Sequence, residues 1–192
     1  MKEKLKGLLK ELTQIPGVSG FEGDIGTYIK KAFSECADEV EVDSLGNVFV
    51  TRRGKYEHPS LMIAAHIDQI GGIVKGIEES GFLRLDRLAG VIPSLLLGRK
   101  VLVNGHFGVI GVKPAHLQSP EERSRVADIK ELYVDVGALC AEEVSKMGIR
   151  VGDPISYISP IEEFTNSDRL CGGAIDDRLG CAVLLALFQK LK

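Results

Sequence analysis

The chain has 192 residues, a length that suits one large domain or two small ones. Its 44% hydrophobic and 27% charged residues are ordinary for a globular protein and argue against an intrinsically disordered chain. A formal net charge of −3 gives no reason to expect nucleic acid or an anionic membrane as a partner. The longest apolar run, 181–188, is far shorter than the ~20 residues that span a bilayer.

The cysteines and the N-terminus indicate the compartment. Cys36, Cys140, Cys171 and Cys181 form no Cys-x-x-Cys pair and fit no zinc-finger spacing. We therefore interpret them as reduced, mostly buried thiols. Residues 1–10 alternate lysine with leucine and lack the apolar core of a signal peptide, so we expect a cytoplasmic protein.

Two amphipathic helices open the chain. Leucines at helical spacing predict the first helix over residues 2–14, and Pro16 and Gly17 end it. The second helix follows Ser19 and Glu22, whose spacing is that of a capping box. Its apolar stripe comprises Ile25, Tyr28, Ile29, Ala32 and Phe33.

The pattern then changes to strands. Residues 39–50 predict a hairpin that turns at 44–47. The continuous apolar run 61–65 predicts a strand covered on both faces, as in the middle of an α/β sheet. Together with the helices, these strands favour an α/β layer.

A different texture covers residues 70–164, where short segments with charged turns predict a small barrel or sandwich. The segments are 72–77, 82–88, 100–103, 108–112, 131–136 and 154–158, with one helix at 141–147 and a mobile loop at 119–125. We therefore expect a β-domain inserted into an α/β domain formed by 1–69 and 165–192. The apolar segment 179–192 reads as a helix buried in that layer.

The first motif able to support chemistry is His66-Ile67-Asp68, directly after the predicted buried strand. At strand spacing the two outer side chains share a face, and a carboxylate beside an imidazole can leave its other nitrogen free for a metal. Ligands of open α/β sheets bind at such strand ends. His-x-Asp alone is a weak signal, and a purely structural His-Asp pair also explains the motif.

The second motif, residues 176–180, lies where a loop enters the last helix. One carboxylate of Asp176 and Asp177 can cap the helix while the other pairs with Arg178. Alternatively, one of them can bridge two metal ions, since closely paired cations require an anionic bridge. The spacing alone leaves both interpretations open.

In order along the chain, the motifs resemble those of the tetrahedral (TET), or glutamyl, aminopeptidase family of metal-dependent exopeptidases. The matching stretches run over the whole chain and comprise residues 15–22, 43–47, 64–71, 135–138, 148–153 and 174–180. Each stretch is short, but the ordered set is specific.

This resemblance implies a zinc-exopeptidase-like α/β catalytic domain interrupted by a β-barrel dimerisation domain. It implies two divalent metal ions, zinc or cobalt, with His66 binding one ion and Asp176 bridging both. Asp68 is implied as the catalytic residue that orients His66, and Asp177 as a supporting residue. The implied activity releases N-terminal residues from short peptides, in a homodimer that in many members assembles into a dodecamer.

In the family, the general-base glutamate and the remaining ligands lie beyond the helix that ends here at Lys192, so we expect none of them in this chain. Two alternatives to an aminopeptidase stay open. One is a non-catalytic dimerising or assembly fragment of the same family. The other is a glycoside hydrolase, which the absence of tryptophan and the presence of only four tyrosines disfavour, since a sugar cleft needs an aromatic platform and two opposed carboxylates.

Overall fold

The computed structural model describes residues 1–56, 58–165 and 168–191. The chain divides into two compact units, Met1–Gln69 with Pro160–Lys192, and Ile70–Ser159. We call them the helical unit and the barrel unit. The second unit ends five residues before the predicted boundary at Phe164, because Ile161 packs in the core of the helical unit. Their roles as catalytic and dimerisation domains stay predictions.

The secondary structure is mixed α/β. The helices are α1 (Lys2–Gln14), α2 (Gly23–Ser34), α3 (Pro120–Ser124), α4 (Ala141–Lys146) and α5 (Ile175–Lys190). The strands are β1 (Glu39–Val42), β2 (Val48–Thr51), β3 (Gly71–Ile77), β4 (Leu83–Leu88), β5 (Lys100–Val103), β6 (His106–Gly111), β7 (Tyr133–Asp135), β8 (Pro154–Tyr157), β9 (Glu162–Glu163) and β10 (Leu170–Cys171). The last residue of the predicted segment 179–192, Lys192, lies outside the described residues.

The helical unit packs α1 and α2 against α5. Each of the first two helices buries one apolar stripe, as the 3.6-residue period predicts. The buried side chains are Leu9, Leu12, Ile25, Ile29 and Phe33, joined by Cys181, Ala182 and Leu185 of α5. The rings of Phe33 and Phe188 meet edge to face at 5.3 Å. Two antiparallel hairpins, β1–β2 and β9–β10, complete the unit.

The barrel unit is a closed barrel with strand order β3-β4-β7-β6-β5-β8, and all of its pairs are antiparallel. Alternation along β4 is clear, since Leu83 and Leu85 are buried while Arg84 and Asp86 lie nearer the surface. Each of its strands coincides with one of the predicted short segments, so the β-domain prediction is confirmed. Closure satisfies every strand edge within the unit.

The predicted buried strand at 61–65 is wrong. In the described structure these residues form no strand, and Leu61 and Met62 are 85% and 82% exposed. The nearest pairing is an isolated parallel bridge between Val18 and Gln69. A strand exists only where a neighbour accepts its hydrogen bonds, and no described segment pairs with this run.

Two local predictions also differ from the structure. Residues 119–125, expected to form a loop, contain the short helix α3, which Ser119 and Glu122 close with a reciprocal capping box. The capping box predicted at Ser19 and Glu22 does not form: Glu22 itself is the N-cap of α2, with no side-chain cap bond. The Ser19 hydroxyl instead donates a hydrogen bond to Oδ2 of Asp68.

Two further features concern the cysteines and the length of the helices. All four cysteines are free thiols, with Cys36 and Cys181 buried, Cys140 half-buried and Cys171 exposed. Among the described residues, no helix has the length and apolar character needed to cross a bilayer.

The barrel core sets a stability test. Leu83 is fully buried inside the barrel, whereas Leu139 of the same unit is 82% exposed. We expect Leu83→Ala to lower the free energy of unfolding by about 2–5 kcal/mol and Leu139→Ala to change it by less than about 0.5 kcal/mol. Chemical denaturation of both variants measures the difference. Equal effects would contradict the assignment of Leu83 to the core.

Candidate metal centre

His66 and Asp68 meet as their spacing predicts. Asp68 Oδ1 lies 3.0 Å from His66 Nδ1, although the segment that carries both residues is not a strand. The side chain of His66 is 53% exposed. A carboxylate at Nδ1 fixes the orientation of the ring and leaves Nε2 as the nitrogen available to a ligand.

Asp176 contacts the other ring nitrogen of His66, Nε2. Its Oδ1 lies 3.0 Å from His66 Nε2, and its side chain is 96% exposed. The chain reaches this position through Ala174, which adopts a left-handed conformation (φ 54°), and through non-helical backbone at Asp176 and Asp177. Regular helical geometry therefore begins only after the two aspartates, which places Asp176 beside His66 rather than along the helix.

The electrostatics of the site follow from these contacts. Burial opposes protonation of His66, but hydrogen bonds to Asp176 and Asp68 and the charge of Asp68 outweigh it and raise the pKa of the imidazole above its ordinary value. The pKa of Asp68 is lowered, first by the hydrogen bond from Ser19 and then by His66. Deprotonated Asp68 thus stays available to hold the ring.

Asp177 has a different position from Asp176. Its Oδ1 accepts a hydrogen bond of 3.0 Å from the backbone N–H of Gly180, in the first turn of α5. This contact satisfies one of the helix's free N–H groups, as a capping carboxylate does. A Cβ at Gly180 would lie 2.6 Å from the same oxygen, so the close approach requires glycine. Asp177 thus caps the first turn of α5, and its supporting role in the site stays a prediction.

Arg178 is fully buried, a feature that the sequence did not reveal. Its Nη1 donates to the carbonyl oxygens of Leu12, at 2.7 Å, and Ile15, at 3.4 Å. The expected ion pair with a neighbouring aspartate is not among its described contacts. Burial lowers the pKa of the guanidinium. The only signal in the sequence is an arginine at the start of an otherwise apolar helix.

The chemistry of Cys181 argues against a thiol nucleophile. Its Sγ donates to the carbonyl oxygen of His66 at 3.5 Å, and burial raises its pKa to about 11. A thiol in that state is a poor nucleophile near neutral pH.

The residues present fit a divalent cation in donor type and in spacing. Two ligand atoms about 2.1 Å from one ion and 3.0 Å apart subtend an angle of about 90°. Octahedral coordination accepts this angle directly, and tetrahedral coordination accepts it after the atoms separate by about 0.4 Å. Within residues 1–56, 58–165 and 168–191, however, no group of three or more His, Cys, Asp or Glu side chains is arranged to hold a metal.

Comparison with known proteins gives the family. A profile described as M42 glutamyl aminopeptidase matches residues 46–192, which is most of the chain. The chain belongs to the M42 glutamyl aminopeptidase family. This agrees with the resemblance seen in the sequence and favours a peptidase over a glycoside hydrolase.

Individual relatives agree with this assignment. The lysyl aminopeptidase of Pyrococcus furiosus is 35% identical over 190 residues, which cover 96% of this chain and 54% of that protein. The structure of aminopeptidase APDkam598 from Desulfurococcus kamchatkensis has a TM-score of 0.90 and 36% identity, covering 100% of this chain and 53% of its own. The Pyrococcus horikoshii TET1 peptidase, described as assembling into a tetrahedron or an octahedral shell, gives a TM-score of 0.81 at 30% identity, covering 97% of this chain and 56% of its own. The chain thus spans about half the length of the relatives it matches.

Gly180 tests the position of Asp177. Because a Cβ at Gly180 would displace the capping carboxylate, we expect Gly180→Ala to lose the cap, whereas Gly7→Ala in α1 meets no atom within 4 Å. The two variants should differ in free energy of unfolding by about 1–2 kcal/mol, with Gly7→Ala the more stable. Thermal and chemical denaturation measure this difference. Equal stabilisation by both alanines would show that Asp177 does not depend on Gly180.

The raised pKa of His66 predicts a pH dependence of stability in the metal-free chain. A raised pKa stabilises the fold fully below the unfolded-state value of about 6.5, and this contribution is lost as the pH rises through the folded-state value. For Asp68, whose pKa is lowered, the contribution is present above about 3.9 and is lost as the pH falls through the folded-state value.

We therefore expect His66→Gln to flatten the fall in stability above about pH 6.5. His116→Gln, at an exposed histidine of the barrel unit, serves as the matched control and should follow the wild-type profile. Denaturation midpoints across pH measure both. An unchanged slope in His66→Gln would disprove the coupling of His66 to its carboxylates.

Proposed function

We propose that this chain takes part in a metal-dependent aminopeptidase that releases N-terminal residues from short peptides. The observation that carries the proposal is the position of His66, whose Nδ1 and Nε2 each lie 3.0 Å from a carboxylate oxygen, of Asp68 and of Asp176 respectively. The chain also belongs to an aminopeptidase family. Imidazole and carboxylate ligands suit zinc and cobalt, the metals that the sequence resemblance implies. The peptide substrate is supported by the aminopeptidase relatives.

Each residue of the site has a distinct proposed role. His66 Nε2 and Asp176 Oδ1 would hold a metal ion, with Asp176 as the bridge to a second one. Asp68 orients the imidazole, and Asp177 fixes the start of α5 close to Asp176. The chemistry that divalent metals supply in such a site is polarisation of the peptide carbonyl and activation of water. A general base must accept the proton of that water, and we place this group outside the present 192 residues.

The same proposal covers assembly and compartment. We propose that the barrel unit serves homodimerisation, with a dodecamer as the larger assembly, and that the protein is cytoplasmic. The oligomeric TET1 peptidase supports the assembly, and the free thiols support the compartment.

A second candidate is a non-catalytic assembly fragment of the family. It is favoured by the metal site itself, since the described residues bring only His66 and Asp176 together as ligands. Two ligands hold an ion weakly, because affinity depends on ligand number and geometry. This candidate predicts a stable oligomer without turnover.

Native mass spectrometry with a zinc titration separates these functions when an aminoacyl-anilide assay is run on the same sample. We expect zinc binding that weakens at least about 10-fold in His66→Ala and in Asp176→Ala, because even the partners of metal ligands contribute 10- to 100-fold. Both variants should keep the oligomeric mass. His116→Ala and Asp24→Ala, at exposed positions outside the site, are the matched controls.

The outcomes distinguish an aminopeptidase site from a non-catalytic assembly fragment. Zinc binding that is unaffected by either site variant would overturn the site assignment. An oligomer with neither histidine-dependent zinc binding nor turnover would favour the assembly fragment. Two zinc ions per chain with turnover would show that the catalytic groups are all present in this chain, contrary to the proposal above.

A further inference from the structure

Asp68 uses both oxygens of its carboxylate. Oδ1 contacts His66 Nδ1 at 3.0 Å, while Oδ2 accepts a hydrogen bond of 2.5 Å from the Ser19 hydroxyl. With one oxygen held by serine, the carboxylate cannot rotate without breaking that bond. The hydroxyl thereby fixes which oxygen faces the imidazole.

The backbone of Ser19 is itself fixed beside Asp68. Its N–H donates to the carbonyl oxygen of Gln69 at 3.3 Å, and the N–H of Gln69 donates to the carbonyl oxygen of Gly17 at 2.8 Å. Between them, Val18 is buried and forms the parallel bridge to Gln69. The segments around Val18 and Gln69, far apart in sequence, thus lie side by side at this single bridge. Their pairing brings Ser19 next to Asp68.

The opposite side of this segment is fixed by Arg178. A Cβ at Gly17 would lie 2.6 Å from Arg178 Nη2, so the backbone passes directly over the guanidinium. The same guanidinium donates to Leu12 and Ile15 just before the segment. The backbone that leads to Ser19 is therefore held by Gln69 on one side and by Arg178 on the other.

We propose that Ser19 is a positioning residue for His66, acting through Asp68. Its hydroxyl holds the Asp68 carboxylate in the rotation that places a proton on Nδ1 and leaves Nε2 free for a ligand. The part of this inference that concerns a metal rests on the proposed function, because the benefit of a free Nε2 is coordination. The orienting effect itself requires only the three side chains.

Nitrogen-15 NMR of the histidine rings tests the inference in the metal-free full chain. At about pH 9, where imidazole is ordinarily neutral, long-range proton–nitrogen spectra report the ratio of the Nδ1–H to the Nε2–H tautomer. We expect Ser19→Ala to lower that ratio for His66 about 3- to 10-fold, the factor that one hydrogen bond contributes, because Asp176 then competes for the proton. Ser19→Thr should keep the wild-type ratio.

The controls isolate the hydroxyl. Ser34→Ala removes a hydroxyl that donates to the carbonyl oxygen of Lys30 within α2, and it should leave the His66 spectrum unchanged. If Ser19→Ala fails to fold, the pair Ser19→Thr and Ser19→Val compares equal shapes with and without the hydroxyl. A wild-type ratio in the variant lacking the hydroxyl, or a shifted ratio in Ser19→Thr, would overturn the inference.

A zinc titration of the same variants separates this inference from the proposed function. Ser19→Ala should weaken zinc binding about 3- to 10-fold, less than the loss expected for His66→Ala. If zinc binding does not depend on His66, the proposed function fails, while the tautomer ratio still decides the role of Ser19. If zinc binding depends on His66 and the ratio is unchanged in Ser19→Ala, the role of Ser19 fails alone.

Discussion

A guanidinium without exposed surface constrains the whole of the helical unit. Taking the charge of Arg178 out of water costs several kcal/mol, and hydrogen bonds to the carbonyls of Leu12 and Ile15 offset part of that cost. The end of α1 must therefore lie where these carbonyls reach the guanidinium. The backbone then passes so close to Arg178 at Gly17 that a Cβ there would lie 2.6 Å from Nη2, which favours glycine at this position. The position of Ser19, and through it that of Asp68, follows from this arrangement.

The barrel was predictable from sequence because its information is local. In β4, Leu83 and Leu85 alternate with polar residues, and each strand finds its hydrogen-bonding neighbours within the same unit. The run 61–65 has an equally clear pattern but no such neighbour in the described structure, where Leu61 is exposed. Hydrophobic pattern reports what a segment is able to bury, whereas the availability of a partner decides whether it does.

The capping boxes show the same limit on a smaller scale. Ser119 and Ser19 each precede a glutamate by three residues, yet only Ser119 forms the box. Ser19 donates instead to Asp68, a carboxylate 49 positions away that local spacing does not reveal. The contact of His66 with Asp68 was predictable because only Ile67 separates the two residues. The contact of His66 with Asp176, at a separation of 110 positions, entered only through family resemblance.

The geometry around His66 links protons to cations. Nε2 and the Asp176 oxygen lie 3.0 Å apart, a distance that a shared proton spans as a hydrogen bond and that a divalent ion spans as two coordination bonds. Both occupants need the same lone pairs, so each must displace the other. The raised pKa of His66 has the same origin, since both carboxylates stabilise the protonated imidazole. The negative charge that stabilises a proton between His66 and Asp176 when metal is absent would therefore also attract a cation to the same position. Asp68 contributes by holding the imidazole with Nε2 directed towards Asp176.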